Sequence, residues 1–461
     1  MRFALACSAL VVALVAAPRV ASAEEIKEIL VQENTKTTTD TVTLIADIDV
    51  GDDWSVDMIT GIKTRLLSSG LFKDAEVFSS TVPGGVRVTI VVHDKHSWVI
   101  APAFYNQPTN KGAGVGYGEN NLFGQNQKLL LYGQIASGDT FFIGAWVIPS
   151  IGGTPFYAQL DTYLKQSRVI EYKSPNGYLD SPEAIRESRL NYLNGGIRLG
   201  IEPIRGYKLD GRLRGAVVSY SDSPLFGNAK APSYLGKNPD DQGIDLGSSS
   251  ATNVQNPGKE GNDVSAEGSF TIDRRANYLG VTTGTKLSVA YEHSLNALGS
   301  DFSYSLLSFG YAKGWQVLER HNLNIKGNFQ YGRHLPFQQE LLLGGTSMRG
   351  YVNNQYRGDS RALVNLEYSL PLFSLFGLSV RGLGFWDSGY IAFLNEDSKQ
   401  RNYLPGSRRE DQDKFAGFKN SVGVGTRLYL KQIVLPLLGV DVGYGLEAGD
   451  IQVYLAIGLT D

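Results

Sequence analysis

The sequence predicts a mainly β protein, a sixteen-stranded antiparallel transmembrane β-barrel preceded by one small α+β domain. From Trp98 onward, apolar and polar residues alternate with a period of two, which places them on opposite faces of strands. The predicted strands run to roughly ten residues or more, longer than the ~5–6 residues usual in soluble proteins. Long polar connections also alternate with short turns, as they do in outer-membrane barrels.

The first 23 residues have the pattern of a secretory signal peptide. Arg2 is followed by an apolar run from Phe3 to Ala17, and the small residues Ala21-Ser22-Ala23 predict cleavage after Ala23. The chain's only cysteine, Cys7, lies in this segment, so we expect no disulfide in the mature chain. The net charge of −3 gives no reason to expect a nucleic-acid partner.

Residues 24–96 predict the small α+β domain. Ser55 is a candidate N-cap, Gly70 a stop signal, and apolar residues recur between them at helical spacing at Val56, Ile59, Ile62 and Leu66. The predicted strands are Lys27–Gln32, Ala75–Ser80 and Val86–Val92, the last two joined by the turn Pro83-Gly84-Gly85. Thr37–Ile48 is ambiguous, because its β-branched residues favour a strand by local propensity.

The alternation after Trp98 separates an apolar face from a face of Asn, Lys, Arg and Glu. It is clearest in Lys286–Ser294, Asn322–Gln330 and Ser421–Lys431. A large soluble β-sandwich or barrel also fits this pattern, but the lengths of the connections favour a membrane barrel. The long polar connections, each after an odd-numbered strand, are Ile170–Ser188, Ser221–Asn262, Gln338–Gln355 and Asn395–Phe418. The predicted short turns include Leu318–His321 and Pro371–Leu375.

Five quoted segments resemble one family. "VGDDWSVDMITGIKTRLLSSGLFKDAEVFSS" (50–80) is similar to a POTRA domain, and "GVGYGENNLFGQNQKLLLYG" (114–133) resembles the first barrel hairpins. "MRGY" (348–351) is similar to a VRGF/VRGY loop signature, and "LVNLEYSLPL" (363–372) and "GFWDSGY" (384–390) resemble the two strands that follow it. The chain therefore resembles the BamA/TamA superfamily of outer-membrane proteins, also called the bacterial surface antigen family.

The resemblance implies a single periplasmic POTRA domain at residues 24–96 and a barrel at residues 97–461. It also implies a helix at Thr39–Ala46, against local propensity. Three features of the family's other members are missing from the sequence: further POTRA domains, a plug helix, and the GxSxG motif of the lipase-linked branch. The last predicted strand, "DIQVYLAIGL", lacks the terminal aromatic residue usual in barrel-targeting signals.

The resemblance also assigns a role to the loop motif Met348, Arg349, Gly350 and Tyr351. It implies that the loop folds back into the barrel, where Arg349 pairs with Asp387 and Glu367, the latter on the polar face of its strand. An arginine cannot lose its charge, so in a lumen it needs carboxylates. Glycines at 344, 345 and 350 would permit sharp turns. The alternative is a solvated surface arginine.

The implied function is assembly or translocation of client proteins at the bacterial outer membrane, with the N-terminal domain in the periplasm. Expected partners are the lipid bilayer, unfolded or partly folded clients and periplasmic accessory proteins; we expect no enzymatic activity and no cofactor. The alternatives are a two-partner-type exporter of one dedicated secreted protein and a passive channel. Metal binding is not expected, because no ligand spacing relates His93, His96, His293, His321 and His334.

In this family the joint that opens lies between the first and last strands. Pro102 in the predicted first strand cannot donate a ladder hydrogen bond, and Gly458 near the end of the last strand adds no side-chain packing. Both residues predict a weak seam at this joint. Alternatively, Pro102 only begins its strand.

Overall fold

The computed structural model describes residues 24–107, 110–172, 184–220, 259–278, 280–375, 378–395, 417–430 and 436–457. The predicted signal peptide at residues 1–23, most of the connection Ser221–Asn262, and Gly458 lie outside these residues. The chain forms two compact units. One comprises the residues up to His96 together with Phe123–Gln125, and the other comprises Ser97–Leu122 together with Asn126–Asp461.

The N-terminal unit is a four-stranded sheet with two helices. Its elements are β1 (Glu24–Gln32), α1 (Thr39–Ala46), β2 (Asp53–Trp54), α2 (Met58–Ser68), β3 (Phe72–Val82) and β4 (Gly85–Asp94). The strand order is β2-β1-β4-β3, with β1 parallel to β4 and the other pairs antiparallel. One face of the sheet packs with the helices in a single core that includes Ile26, Val42, Ile62, Leu66, Val88 and Ile90.

Helix α1 forms where local propensity favours a strand. The Thr38 hydroxyl accepts a hydrogen bond from Thr41 N at 3.3 Å and so caps the helix. Val42 and Ala46, one turn apart, are both fully buried in the core. Burial of this face outweighs the modest β preference of threonine and valine. The helix that the family resemblance implied at Thr39–Ala46 is therefore confirmed.

The predicted start of α2 at Ser55 is wrong. The carbonyl oxygen of Ser55 accepts a hydrogen bond from Met58 N in a turn before the helix, and the N-cap is Asp57, whose side chain makes no capping bond. Val56, placed on the helix by its spacing, is exposed in that turn. The stop signal is correct, because Gly70 has a φ of +77°, which glycine tolerates easily.

The second unit is a closed barrel of sixteen antiparallel strands, as predicted. They are β5 (Trp98–Gln107), β6 (Asn110–Leu122), β7 (Gln127–Ala136), β8 (Asp139–Ile148), β9 (Phe156–Tyr172), β10 (Ala184–Ile204), β11 (Tyr207–Tyr220), β12 (Gly261–Asp273), β14 (Val281–Ser294), β15 (Ser305–Gln316), β16 (Asn322–Arg333), β19 (Ser360–Leu375), β20 (Leu378–Ala392), β21 (Phe418–Leu430), β22 (Pro436–Gly445) and β23 (Asp450–Ile457). Three-residue strands β13 (Ala276–Tyr278), β17 (Leu341–Leu343) and β18 (Tyr356–Gly358) lie between them.

The alternation in the sequence sorts side chains between the outside and the lumen. Val424 and Leu199 are 64% and 59% exposed on the outer surface, whereas their neighbours Arg427 and Arg198 form ion pairs inside. An apolar outer surface is what a bilayer requires. Neither described helix is long and apolar enough to cross a membrane.

The order of long and short connections agrees with the prediction, but the bounds differ at three places. The connection predicted at Gln338–Gln355 is longer, since β16 ends at Arg333 and β19 begins at Ser360. The turn predicted at Pro371–Leu375 is strand, because β19 continues to Leu375 through a register shift between Pro371 and Phe373, where a residue without an N–H is tolerated. The connection predicted at Ile170–Ser188 is shorter, since β9 and β10 extend to Tyr172 and from Ala184. The turn at Leu318–His321 is present between β15 and β16.

Candidate functional site

The connection between β16 and β19 packs within the barrel. It contains the hairpin β17–β18, which pairs Leu341 with Gly358. Its residues Leu343, Met348 and Tyr351 are almost completely buried and belong to a core cluster that also contains strand residues of the barrel. Met348 occupies the first position of the loop motif, next to Gly389 of β20, where an added Cβ would lie 3.0 Å from its sulfur.

Arg349 lies between the two carboxylates that the family resemblance implied. Its Nε and Nη2 donate to the two oxygens of Asp387, each at 2.9 Å, and its Nη1 donates to Glu367 at 3.2 Å. Its backbone N–H also donates to Asp387 at 3.1 Å. Burial acts to lower the pKa of Arg349, but its bonds to Asp387 and its proximity to Glu367 outweigh it and raise that pKa. The arginine is therefore a fixed, doubly anchored charge.

Two further lumenal groups around Arg349 were not predicted. The ring centre of Phe385 lies 3.4 Å from the guanidinium carbon, close enough for a cation–π contact. Asp441 lies 3.7 Å from Nη1 and accepts two hydrogen bonds from Arg427. The alternation places Asp441 on the lumenal face of β22, but no local signal indicates that this strand lies opposite the loop.

The loop tip approaches the barrel wall closely at glycines. Gly350 has a φ of +94°. A Cβ added at Gly443 would lie 2.6 Å from Gly350 N, and one added at Gly445 would lie 2.6 Å from Gly350 O. Any other residue at these positions of β22 would displace the loop. The glycines of "GVDVGYG" (439–445) were the available signal, and they alternate on one face of the strand.

Tyr351 connects the loop to the barrel rim. Its hydroxyl is 2.8 Å from the carbonyl oxygen of Asn420 and 2.5 Å from Glu447 Oε2. Asn420 donates from its backbone N–H and its side chain to the same carboxylate, at 2.7 and 3.0 Å. Burial acts to raise the pKa of Glu447, but the hydrogen bonds from Tyr351 and Asn420 outweigh it, so that the pKa is lowered.

Tyr454 connects the loop to the last strand. Its hydroxyl accepts a hydrogen bond from Gly350 N at 3.2 Å and donates one to the carbonyl oxygen of Tyr351 at 2.5 Å. The next residue, Leu455, pairs with Asn106 of the first barrel strand. The loop motif is therefore bonded to the strand that forms one side of the seam, which the sequence did not predict.

Tyr454→Phe is expected to loosen the loop without opening the barrel. The change removes one hydroxyl and leaves the buried Gly350 N–H without its partner, at a cost of about 1–3 kcal/mol, whereas the Tyr351 carbonyl still accepts a hydrogen bond from Gly345 N. Hydrogen exchange of the loop amides should rise accordingly. Tyr444→Phe, on the outer face of β22, is the matched control and should change nothing. Equal exchange in both variants would show that Tyr454 does not hold the loop.

The seam is short among the described residues. β23 pairs with β5 at three positions, Leu455 with Asn106, Ala456 with Tyr105 and Ile457 with Phe104, whereas β5 and β6 pair at ten. Pro102 is the fifth residue of β5 and pairs with Val115, so the alternative that it only begins the strand is wrong. Pro102 has no partner on β23 among the described residues, and Gly458 lies outside them.

Among the described residues, no group of three or more His, Cys, Asp or Glu side chains could hold a metal ion. The site is instead a set of ion pairs and hydrogen bonds that joins one loop to five strands: β19, β20, β21, β22 and β23. Such an arrangement can hold or release the loop.

The sequence matches a known family model, and the fold is similar to those of several solved structures. Residues 121–437 match a model of the Omp85 superfamily domain. No curated protein sequence matches the chain. Among solved structures, BamA from Haemophilus ducreyi lacking POTRA domains 1–3 aligns with a TM-score of 0.60 at 14% identity, over 94% of this chain and 84% of that one. CdiB from Acinetobacter baumannii aligns with a TM-score of 0.60 at 13% identity, over 95% and 74% of the two chains. CdiB from Escherichia coli aligns with a TM-score of 0.52 at 12% identity, over 97% and 93%.

Proposed function

Because the chain belongs to the Omp85 superfamily, we propose that it guides client proteins into or across the outer membrane through its N-terminal domain and its barrel seam. Members of the superfamily are outer-membrane β-barrel proteins that act in outer-membrane protein assembly or secretion. Assembly of clients is the role that the geometry supports best. No covalent chemistry is needed, because folding and burial of the client supply the free energy.

The short seam is the observation that carries this proposal. A closed barrel survives in lipid because its strands have no free edge. Here three residue pairs join the first and last strands within the described residues. Among the described residues, 98–103 of β5 pair only with β6, and 450–454 of β23 pair only with β22. Both strands therefore offer backbone groups with which an incoming client strand could pair.

The N-terminal domain supplies a second edge for a client. β3 is at the end of the sheet order, and its outer backbone groups have no strand partner among the described residues. Phe78, on this strand, is 51% exposed. An extended client segment can add to such an edge through main-chain hydrogen bonds, with a side-chain contact to the ring. We propose that clients are held here in the periplasm before they reach the seam.

The periplasmic placement of this domain leads to a prediction about topology. The long connections follow odd-numbered strands and leave the barrel at the end opposite the start of β5. Outer-membrane barrels place long loops outside the cell. An epitope inserted near Ser249 should therefore be accessible to antibody on intact cells. Access only after permeabilisation would reverse the orientation.

A depletion experiment distinguishes the assembly role from its two alternatives. If the protein assembles clients, its depletion should lower the folded amounts of several outer-membrane proteins at least severalfold, as measured by membrane proteomics. An exporter of one dedicated partner would lower one secreted protein only. A passive channel would leave the proteome unchanged and would conduct steadily in planar bilayers. The packed loop, which occupies lumen that a channel would leave open, favours the first outcome.

A further inference from the structure

A cavity of about 500 Å³ lies in the lumen beneath the loop motif, at the end of the barrel where β19 and β20 are joined. It is lined by strand residues and by Ser347 and Arg349 of the loop. This volume suits a small organic ligand. The proposed client path does not use this cavity, so an inference about it does not depend on the proposed function.

Arg381 on β20 is a buried cation in the wall of this cavity. It is 3% exposed, and no carboxylate of the described residues lies within ion-pair distance of it. Its Nη2 donates to the Ser369 hydroxyl and carbonyl oxygens at 2.9 and 3.3 Å, and its buried Nε has no hydrogen-bond partner among the described residues. A buried guanidinium with an unused donor is costly unless an acceptor is supplied.

The other cations of the wall differ from Arg381 in their partners. Arg349 is bonded to Asp387 and Glu367, and Arg427 is bonded to Asp441. Arg275 is bonded to Asp273, and the ammonium of Lys313 lies over the ring of Trp315. Lys326 on β16 also lines the cavity, points its side chain into open lumen, and has no carboxylate within ion-pair distance among the described residues. Lys326 and Arg381 are thus two positive charges in the wall that have no carboxylate within ion-pair distance among the described residues.

The side chain of Arg381 is held in place by close packing. A Cβ added at Gly280 would lie 2.8 Å from Arg381 Cδ and 2.6 Å from Tyr429 Cζ, so a glycine there lets the chain close over both side chains. Ser369 accepts from the guanidinium and keeps its own O–H free to donate. A fixed planar fork beside a hydroxyl donor matches the geometry of a carboxylate or phosphate.

We propose that this cavity is a binding site for an oxyanion, a carboxylate or a phosphate group of a small ligand, with Arg381 and Ser369 as its contacts and Lys326 as a second positive charge. The ligand would supply the acceptor that Nε lacks. Because Ser347 and Arg349 form part of the wall, the site is complete only while the loop is docked.

Titration calorimetry of the full chain in detergent tests this proposal. The probes are inorganic phosphate, acetate and glycerol 3-phosphate, each at constant ionic strength in sodium chloride. We expect saturable binding of at least one probe. Arg381→Gln should weaken it at least tenfold and Lys326→Gln about threefold, while Arg320→Gln, at an exposed turn, should stay within twofold.

The pattern among the probes identifies the source of the group. Tighter binding of glycerol 3-phosphate indicates a lipid headgroup, equal binding of phosphate and acetate indicates recognition of the oxyanion alone, and acetate alone indicates a carboxylate ligand. Heat-modifiable gel mobility verifies that each variant has a folded barrel. If Arg381→Gln does not fold, the test rests on Lys326→Gln, because the Lys326 side chain is exposed. Absence of saturable binding, or unchanged affinity in the folded lumenal variants, would overturn the proposal.

Discussion

Arg349→Ala is expected to release the loop and abolish activity while leaving the barrel closed. The change removes the partner of Asp387, a fully buried carboxylate, and breaking a buried ion pair in this way typically costs about 3–5 kcal/mol. The barrel itself is held by sixteen ladders to which Arg349 contributes nothing. We expect rapid cleavage of the loop by added protease, unchanged heat-modifiable mobility, and an at least tenfold loss of client assembly.

Two further variants sharpen this test. Arg349→Lys keeps the charge but cannot bond to both oxygens of Asp387 and to Glu367 at once, so we expect it to be nearly as defective. Arg275→Ala removes an arginine that also bonds both oxygens of one carboxylate, Asp273, but at a site where both side chains are one-third exposed. It should behave as wild type, because such pairs contribute only about 0–1 kcal/mol. Full activity and protease resistance in both Arg349 variants would show that the ion pair has no role.

Locking the seam with a disulfide is expected to lower the rate of client assembly more than tenfold. The rate should recover when the disulfide is chemically reduced. The register directs the choice of Asn106→Cys with Leu455→Cys, which are paired residues of β5 and β23. Paired Cα atoms in an antiparallel ladder lie ~4.5–5.5 Å apart, within the range a disulfide spans. The only natural cysteine, Cys7, lies in the predicted signal peptide, so no other thiol should compete.

The control for this experiment is a disulfide one strand away. Val442 and Val453 are paired between β22 and β23, and both point outward. Their replacement by cysteine introduces the same bond next to the seam without closing it, so activity should persist in the oxidised state. If the locked seam is also fully active, clients do not pass between β5 and β23. Transport would then run through the lumen, as the exporter or the channel alternative requires.

Local sequence determined most of the architecture. Strand alternation has a short period, so segments such as Asn322–Gln330 reveal their two faces without knowledge of their neighbours. Connection lengths indicated which ends of the strands carry long loops, whereas the loop that packs inside was implied by the family resemblance of "MRGY" (348–351). The errors at Ser55 and Pro371 also come from local signals. A serine that can cap a helix can instead lie in the turn before it, and a proline that can form a turn can instead lie in a strand next to a bulge. In both cases the surrounding structure selected the second context.

Family resemblance supplied what local patterns could not, the partners Asp387 and Glu367. The rest of the site depended on tertiary structure alone. Asp441, Glu447 and Tyr454 lie about 90 to 105 residues from the loop motif in sequence, and they meet it because the closure of the barrel brings β22 and β23 alongside the folded loop.

The sequence by itself therefore determined which residues face the lumen, and the tertiary structure decided which of them touch. Each strand's alternation specifies inward or outward but is unchanged when the strand slides by two residues. The contacts of Tyr454 with Gly350 and of Leu455 with Asn106 depend on that slide, because register and shear are set by all sixteen strands closing together.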